Sequence, residues 1–484
     1  MKSSNKTNFL FFGLAFLTYC ILSVICWNHV YFWDNIQLTS IEAHWYYLTD
    51  FKYLIIPKSA PNLGLYGTGG PPLLPLVTAV LWKIVGYKVW VSHALISLFA
   101  IVLFYNTWKL VRHFFSQEYV GWISFIILME TTLLSQFSIA PPDFILFTAF
   151  IISLRAIFER KNTLLAIGFF ILIAISMRGF FTGSIIFIVH IFFYIYSKED
   201  SGNRSFFKTF SPYVPAFLIF TTYFSFYFIT QGWFFTNSKF GEAQNYPTSI
   251  MYIIRHLCDL GMRLIENGRI IIWIIAFYVG LKLVKTKTKL SKDMKFILWV
   301  FILLTGLYFV FALITKMPFL TRYFMPLILI LTIFGLAELT KFFAEKKMKY
   351  VFILILCFEI TGHFWIYPEK TTVIWDSTLA HLPYYKLREE CFDYVDKNKI
   401  DYKDISGGFC FYDNRSFVEL KNPDKIISRD KDKLYFIYSN VSNIPDDWID
   451  EFKDPEQWSP IKSFQKGFVI ITIYKNRNLH KQKF

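Results

Sequence analysis

Charged residues are scarce in this chain, and its cysteines do not have the spacing of a metal site. Only 18% of the 484 residues are Asp, Glu, Lys or Arg, whereas 55% are hydrophobic and 20% are aromatic. This apolar share is far above that of a soluble domain. The six cysteines lack the paired spacing of a zinc site. The composition therefore excludes an ordinary soluble protein and indicates a membrane protein.

Repeated apolar stretches of about 18 or more residues predict transmembrane helices. We assign eleven spans: residues 8–28, 90–111, 119–138, 142–158, 163–180, 181–197, 213–230, 269–285, 294–315, 319–340 and 350–366. The first lacks a small-residue cleavage site, which favours a retained helix over a removed signal peptide. With the N-terminus inside, every strongly basic short loop falls on one side. The net charge of +15 is then explained by cytoplasmic loops, so no nucleic-acid partner is expected.

The segment PPLLPLVTAVLWKIVG, residues 71–86, is apolar but short for a span. If it crossed the membrane, the basic residues between later spans would move to the outside. The charge pattern therefore predicts an interfacial helix within a first outer loop, residues 29–89. A second outer loop covers residues 231–268, and the membrane part ends near residue 366.

After residue 366 the sequence becomes charged and rich in turns. The strand-like runs ISGGFCFYD, KLYFIYSN and GFVIITIYKN are separated by the helix-like segments YYKLREECFDYVDKN and PDDWIDEF. This pattern predicts a small α/β domain, residues 367–484, on the outer face. Cys391 and Cys410 either pair in an oxidising compartment or remain free thiols. Asn414 and Asn440 begin glycosylation acceptor sequences, which matter only in an endoplasmic reticulum lumen.

Ionisable residues from distant parts of the chain converge on the predicted outer boundary of the membrane. Asp34 follows the first span, Asp143 opens the fourth, and Arg178 closes the fifth. The loop between the ninth and tenth spans adds three more: Lys316, Arg322 and Tyr323. Two acids and three cations suit a site in which a carboxylate accepts a proton and the cations hold a leaving phosphate.

Each of these residues also has a purely structural interpretation. Asp143 follows two prolines and could cap a helix, while Arg178 and Lys316 could reach lipid headgroups. Asp34 could be a solvated loop acid. Glu130 lies inside the third predicted span and must be neutral or paired.

The order of several short motifs resembles the GT-C membrane glycosyltransferases, and is most similar to the aminoarabinose transferase and protein O-mannosyltransferase-like group. The chain has an acid after the first span, an outer-loop segment that begins PPL and ends WKIVG, and a span that begins VSHALIS. Pro-Pro-Asp at the fourth span, Arg-Gly at the fifth and a late Lys…Arg-Tyr…Pro loop follow in order. The resemblance implies a mainly α polytopic fold with interfacial helices and a C-terminal α/β domain on the outer face.

The resemblance also implies a reaction and roles for residues. The reaction is an inverting transfer of a sugar from a polyprenyl-phosphate donor, such as undecaprenyl phosphate, to a hydroxyl or phosphate of a glycan, lipid A or protein. Asp34 takes the place of the general base and Asp143 that of the second family acid. The remaining candidates are substrate-binding residues: Arg178, Lys316 and Arg322 for the donor phosphate, with Glu42, His44 and Tyr323.

Two positions depart from the family pattern. Asn35 follows Asp34 where the family often has Glu, so the nearest acid is Glu42. The stretch Thr68-Gly69-Gly70 lacks the lysine commonly found before the two prolines. The donor phosphate would therefore be held by the cations of later segments.

Two other functions are compatible with a membrane protein of this composition. A flippase of a lipid-linked sugar would use similar residues but would more often show internal repeats, which this chain lacks. A non-catalytic scaffold of an export complex would not be expected to keep the acid and cation set. The two outer loops contain no DxD motif, so we expect a metal-independent reaction while leaving a divalent ion open. The architecture favours a bacterial inner membrane protein with a cytoplasmic N-terminus and a periplasmic C-terminal domain.

Overall fold

The computed structural model describes residues 2–56, 70–196, 206–232, 249–315, 319–367, 375–442, 444 and 446–482. The membrane part is mainly α. Its helices are α1 (Lys2–Cys26), α2 (Glu42–Leu48), α3 (Leu73–Val85), α4 (Trp90–Phe114), α5 (Val120–Leu128), α6 (Thr131–Ile139), α7 (Pro142–Phe158), α8 (Asn162–Ile175), α9 (Met177–Tyr196), α10 (Phe206–Phe210), α11 (Val214–Gln231), α12 (Ile250–Ile265), α13 (Ile270–Thr286), α14 (Lys292–Ile314), α15 (Met325–Leu339) and α16 (Glu345–Gly362).

Fewer of the described helices have the length and apolar composition of a membrane span than the sequence pattern predicts. In the described ranges six helices are long and apolar enough to cross, or up to eight if two bent pairs each count as one span. The eleven predicted spans are therefore not confirmed. α7 has 17 residues and α8 has 14, fewer than the roughly 20 that a full crossing needs. These helices, together with the membrane-protein fold described below, make the chain a multi-pass membrane protein.

A predicted span, 119–138, and a predicted outer loop, 231–268, both differ from the structure: the span is two helices, and the loop contains α12. Polar or flexible residues mark the bend in each case. The span 119–138 is two helices, α5 and α6, bent by 54°. Glu130 has a non-helical backbone, and its carboxylate accepts the amide hydrogen of Leu133 at 2.7 Å, so it begins a new helix. α12 and α13 meet at 90°, where Asn267 and Gly268 have positive φ angles. This left-handed backbone, which favours Asn and Gly, ends α12.

The apolar segment 71–86 forms a single short helix, α3. Trp82 and Ala79 are buried against the first loop, while Ile84 and Val85 are exposed on the other side. A short helix with one packed and one exposed apolar side fits an interfacial position. Its placement at a membrane surface remains a prediction.

The C-terminal part contains the predicted helices and strands, plus further strands and short helices that the sequence did not indicate. Its elements are α17 (Pro383–Lys397), β1 (Ile405–Gly407), β2 (Asp413–Asn414), α18 (Arg415–Glu419), β3 (Ile426–Ile427), β4 (Tyr435–Ser439), α19 (Asp446–Lys453), β5 (Trp458–Lys466), β6 (Val469–Asn476) and α20 (Arg477–Gln482). The four-stranded sheet has the order β1-β4-β6-β5, and β2 pairs with β3. β5 is an exposed edge strand containing Pro460 and lysines, as is usual at edges, so it lacks an apolar pattern.

The C-terminal part packs on the first loop. Phe32 and Trp33 of the loop share one apolar cluster with Tyr384, Tyr385 and Phe411. The division of the chain at residue 366 therefore remains a prediction. Cys391 and Cys410 are both buried and unpaired, which corresponds to the free-thiol alternative.

Candidate functional site

Arg322 is the centre of a buried ionic cluster at one end of the helices. It lies in a 3-10 turn, Thr321–Phe324, directly before α15. Its guanidinium contacts the carboxylates of Asp34 and Asp376, and its Nε lies 3.0 Å from Oδ2 of Asp143. A guanidinium has five N–H donors in a planar arrangement, so one arginine can contact three carboxylates at once. Predicted residues Asp34, Asp143 and Arg322 are thus brought together.

Asp143 connects Arg322 to a second cation. It lies in the first turn of α7, which begins at Pro142 because proline is favoured at the first helical position. Its Oδ1 is 2.8 Å from Nη2 of Arg178. Pro141, and not Asp143, occupies the N-cap position. The capping interpretation of Asp143 is therefore wrong, and its carboxylate bridges two arginines.

Arg178 begins a helix and does not end one as predicted. The chain is extended at Ser176, between α8 and α9, and Arg178 lies in the first turn of α9. Its guanidinium is 3.8 Å from the centroid of the Tyr323 ring, a cation–π distance. The backbone carbonyl of Tyr323 accepts a hydrogen bond of 2.8 Å from the Tyr308 hydroxyl. Tyr323 thereby fixes the orientation of the second cation.

Asp34 is the cluster carboxylate that is most open to solvent. Its side chain is 32% exposed, whereas those of Asp143 and Arg322 are 3% exposed. Asn35, which departs from the family pattern, donates to the carbonyls of Ile139 and Ala140 at 2.9 and 3.2 Å. This amide holds the loop against the end of α6, and a carboxylate could not donate those bonds. Asn35 is therefore a structural anchor for Asp34.

Asp376 belongs to the cluster, and the sequence analysis missed it. It lies in a short 3-10 turn, Trp375–Ser377, and its carbonyl accepts hydrogen bonds from Gln136 and Ser135 of α6 at 2.6 and 2.9 Å. The sequence signal was weak: an acid between Trp and Ser in an otherwise weakly charged stretch after the last predicted span. The C-terminal part thus supplies one of the three carboxylates.

The predicted residues Glu42 and His44 lie in α2, outside the cluster around Arg322. His44 is buried between Tyr87, Trp82 and Phe417, and its Nδ1 is 2.6 Å from the carbonyl of Ser40. Burial lowers the pKa of His44 to about 4, so the ring is neutral at pH 7. Burial raises the pKa of Tyr46, and the nearby Glu42 charge adds to this shift. Lys316, the remaining candidate, lies outside the described residues.

Two further arginines support the turn that carries Arg322. Arg269 donates to the carbonyl of Thr321 at 2.7 Å and forms an ion pair of 2.9 Å with Glu130. Arg263 donates to the carbonyl of Phe319 at 3.2 Å and pairs with Glu266 at 3.1 Å. The bend between α12 and α13 therefore contacts the backbone on the N-terminal side of Arg322. Glu130 is paired, as its position inside an apolar run requires.

The cluster contains more carboxylates than guanidiniums. Two guanidiniums face three carboxylates, so the five groups carry a formal charge of −1. An incoming anion could bind the guanidinium of Arg322 only by displacing a carboxylate, because each of its three nitrogens lies against one. Arg178 contacts Asp143 through Nη2, and its side chain is 21% exposed. Throughout the ranges that the structure covers, no three His, Cys, Asp or Glu side chains are placed to hold a metal ion together.

The arrangement of helices, loop and C-terminal part has the GT-C membrane glycosyltransferase fold. It is similar to the crystal structure of ArnT from Cupriavidus metallidurans bound to undecaprenyl phosphate, with a TM-score of 0.51, 10% identity, and coverage of 96% of this chain and 97% of that one. The apo ArnT structure gives a TM-score of 0.45 at 14% identity over 71% of this chain and 61% of that one. The apo oligosaccharyltransferase of Archaeoglobus fulgidus gives 0.38 at 10% identity over 71% of this chain and 56% of that one. No known family profile and no curated protein sequence matches the chain.

Proposed function

We propose that this protein is an inverting glycosyltransferase that moves a sugar from a polyprenyl-phosphate donor to an acceptor hydroxyl or phosphate. The observation that carries the proposal is the contact of Arg322 with Asp34, Asp143 and Asp376 at one end of the membrane helices. The fold, which is similar to that of an ArnT crystallised with undecaprenyl phosphate, supports the same conclusion. Acceptors of this chemistry include a glycan, lipid A or a protein.

Asp34 is the proposed general base. It is the most exposed carboxylate of the cluster, and an acceptor can approach it from the water side. A carboxylate that accepts the acceptor proton as the new bond forms lowers the barrier to attack. Inversion requires the base and the leaving phosphate on opposite faces of the sugar. A single base and a cationic phosphate site are then sufficient.

Arg322 and Arg178 are the proposed ligands of the donor phosphate. Their forks are occupied by carboxylates in the structure, so a phosphate that binds Arg322 takes the N–H groups that Asp34 uses. Donor binding would therefore release Asp34 from its ion pair and leave its carboxylate available to the acceptor hydroxyl when the substrate is present. The cluster already carries excess negative charge, and a phosphate adds more. Lys316, close to Arg322 in sequence, is the proposed additional cation.

We further propose that the reaction occurs at the periplasmic face of a bacterial inner membrane without a metal ion. In this orientation the N-terminus is cytoplasmic and the C-terminal part that supplies Asp376 is periplasmic. Transfer that continues after treatment with a chelator would support metal independence. Loss of transfer on chelation, restored by one divalent ion, would contradict it.

The test is transfer of label from a radiolabelled lipid extract by membranes that contain the wild-type or Asp34→Asn protein. Asn has the same size but cannot accept the proton, so we expect transfer to fall at least about 100-fold. Asp50→Asn is the matched control: this acid of the same loop is exposed and pairs with Lys83, away from the Arg322 cluster.

The outcomes separate the possible functions. Equal transfer by the wild-type and Asp34→Asn proteins would remove Asp34 from the mechanism and direct attention to Asp143 and Asp376. Loss in both variants would indicate a general effect of charge in the loop. No transfer by the wild-type protein, with donor lipid still bound and moved between leaflets, would favour a flippase.

A further inference from the structure

A second cluster of cations lines a cavity at the opposite end of the helices from Arg322. α7 carries Asp143 at its start and reaches the cavity at Phe158, about 22 Å along the helix at 1.5 Å per residue. α14 carries Lys292 in the cavity wall and Tyr308 beside Tyr323, about 24 Å apart. The cavity therefore lies at the opposite end of these helices and is separate from the site described above.

The cavity combines a basic rim with an aromatic wall. Its volume is about 250 Å³, and Arg160 and Lys292 contribute the cations. Asn162, His190 and Thr209 contribute polar atoms, and the wall includes four aromatic rings: Phe158, Phe193, Tyr194 and Phe296. Among the described residues, Asp293 is the single acid of the lining, and its Oδ2 lies 2.7 Å from Nε2 of His113.

Two features make the cavity suitable for an anion. α8 begins at Asn162 and α14 at Lys292, so two helix N-termini with their partial positive charge open at its wall. Arg160 has a φ of 55°, at the end of α7 where glycine is usual. An arginine in this left-handed position costs backbone strain. Among the described residues it has no ion-pair partner.

The surface beside the cavity is suited to a lipid chain. Tyr194, in the wall, contacts Phe206 with ring centroids 5.9 Å apart. Phe206, Phe207 and Tyr196 are 48%, 82% and 80% exposed, so this surface offers aromatic side chains that a lipid chain could pack against. Basic pockets between membrane helices bind the headgroups of anionic lipids. The volume is below that of a pocket for a whole drug-sized ligand, so it fits a headgroup and not an entire lipid.

We propose that this cavity binds the phosphate group of an anionic membrane lipid in the leaflet opposite to the Arg322 cluster. The guanidinium of Arg160 and the ammonium of Lys292 hold the phosphate. The acyl or prenyl chain lies along the exposed aromatic surface of α9 and α10. This site is distinct from the proposed transfer site and does not depend on the transfer reaction.

The experiment is native mass spectrometry of the detergent-purified full chain titrated with phosphatidylglycerol, with diacylglycerol as the lipid that lacks phosphate. We expect phosphatidylglycerol to bind at least about tenfold more tightly than diacylglycerol. The double variant Arg160→Gln, Lys292→Gln removes two charge-assisted contacts and should weaken binding at least about tenfold. Lys282→Gln, Lys285→Gln removes the same charge from α13, outside the cavity lining, and should bind as the wild type does.

A second variant, which blocks the cavity by size, keeps the proposal testable if the charge variant fails to fold. Thr209→Trp fills the cavity without changing charge, and it should also lose the lipid. The proposal is overturned if both cavity variants bind phosphatidylglycerol as the wild type does, or if the Lys282→Gln, Lys285→Gln control loses binding equally. Competition with undecaprenyl phosphate then shows whether the natural ligand is a polyprenyl phosphate or a phospholipid. Displacement of phosphatidylglycerol at equal concentration supports a polyprenyl phosphate, and no displacement supports a phospholipid.

Discussion

At the residue scale, Arg322 shows why buried charges at a membrane boundary require several partners. Its side chain is 3% exposed, and three carboxylates from the first loop, α7 and the C-terminal part contact it. Removing one partner of a buried pair costs about 3–5 kcal/mol because the other charge remains unpaired. Replacing Arg322 by alanine would therefore test folding more than binding. Substitutions at the edge of the cluster give clearer information about function.

Tyr323 offers such a substitution. Its ring lies 3.8 Å from the Arg178 guanidinium, and a buried cation–π contact contributes about 2 kcal/mol. We expect Tyr323→Leu to raise the KM for the lipid donor about tenfold or more while changing kcat little, because Arg178 loses its orientation. Tyr323→Phe keeps the ring and should retain nearly the wild-type KM. Steady-state transfer with varied donor measures both. An equal loss in the two variants would instead assign the role to the hydroxyl group.

At the element scale, the two bent helix pairs, α5–α6 and α12–α13, hold the backbone turn that carries Arg322. Glu130 at the α5–α6 bend pairs with Arg269 at the α12–α13 bend, and Arg269 holds the carbonyl of Thr321. The positions of these bends could not be predicted from apolar content. An apolar run continues through Glu130, and only the hydrogen bond of its side chain to Leu133 reveals the new helix. The Asn267-Gly268 pair was a sequence signal for the second bend.

Gly268 gives a direct test of the α12–α13 bend. It has a φ of +84°, and a Cβ atom there would lie 2.1 Å from the carbonyl oxygen of Phe358. Gly268→Ala should therefore lower the free energy of unfolding by more than the roughly 1–3 kcal/mol of backbone strain alone. It should also reduce transfer, because Arg269 would move away from Thr321. Thermal unfolding of the purified protein measures the first effect.

Gly280 provides the matched control for that substitution. It lies within α13, and a Cβ atom there has no other atom within 4 Å. Gly280→Ala should leave the unfolding temperature unchanged or raise it, since alanine favours a helix by up to about 1 kcal/mol. If both variants unfold like the wild-type protein, the close approach of α16 to the bend does not matter for stability.

At the scale of the whole molecule, the sequence predicted which residues converge better than it predicted how the parts join. Asp34, Asp143, Arg178, Arg322 and Tyr323 were placed at one boundary because charges inside apolar sequence are costly and gather where water reaches them. Asp376 was missed because its contact with Arg322 connects distant segments, and no local pattern reports such a contact. The cluster shared by the first loop and the C-terminal part was missed for the same reason.

This shared surface contains three neutral histidines, which makes the molecule sensitive to acid. His29 stacks on Tyr385, His381 stacks on Phe32, and His44 contacts Phe417. Burial is the main cause that lowers the pKa to about 3 for His29 and about 4 for His44 and His381. The neighbouring His93 and His363 lower those of His29 and His381 further.

Between pH 6.5 and about 4 the unfolded chain binds more protons than the folded chain, because an unfolded histidine has a pKa near 6.5. The folded state is therefore most stable above pH 6.5 and loses stability as the pH falls towards 4. At pH 5 each buried ring costs about 2 kcal/mol, so the unfolding temperature should be clearly lower than at pH 7. His381→Asn should reduce this difference, whereas His113→Asn, which changes the partly exposed ring beside Asp293, should not. If the unfolding temperature falls equally from pH 7 to pH 5 in the wild-type and His381→Asn proteins, protonation of His381 does not contribute to the acid sensitivity.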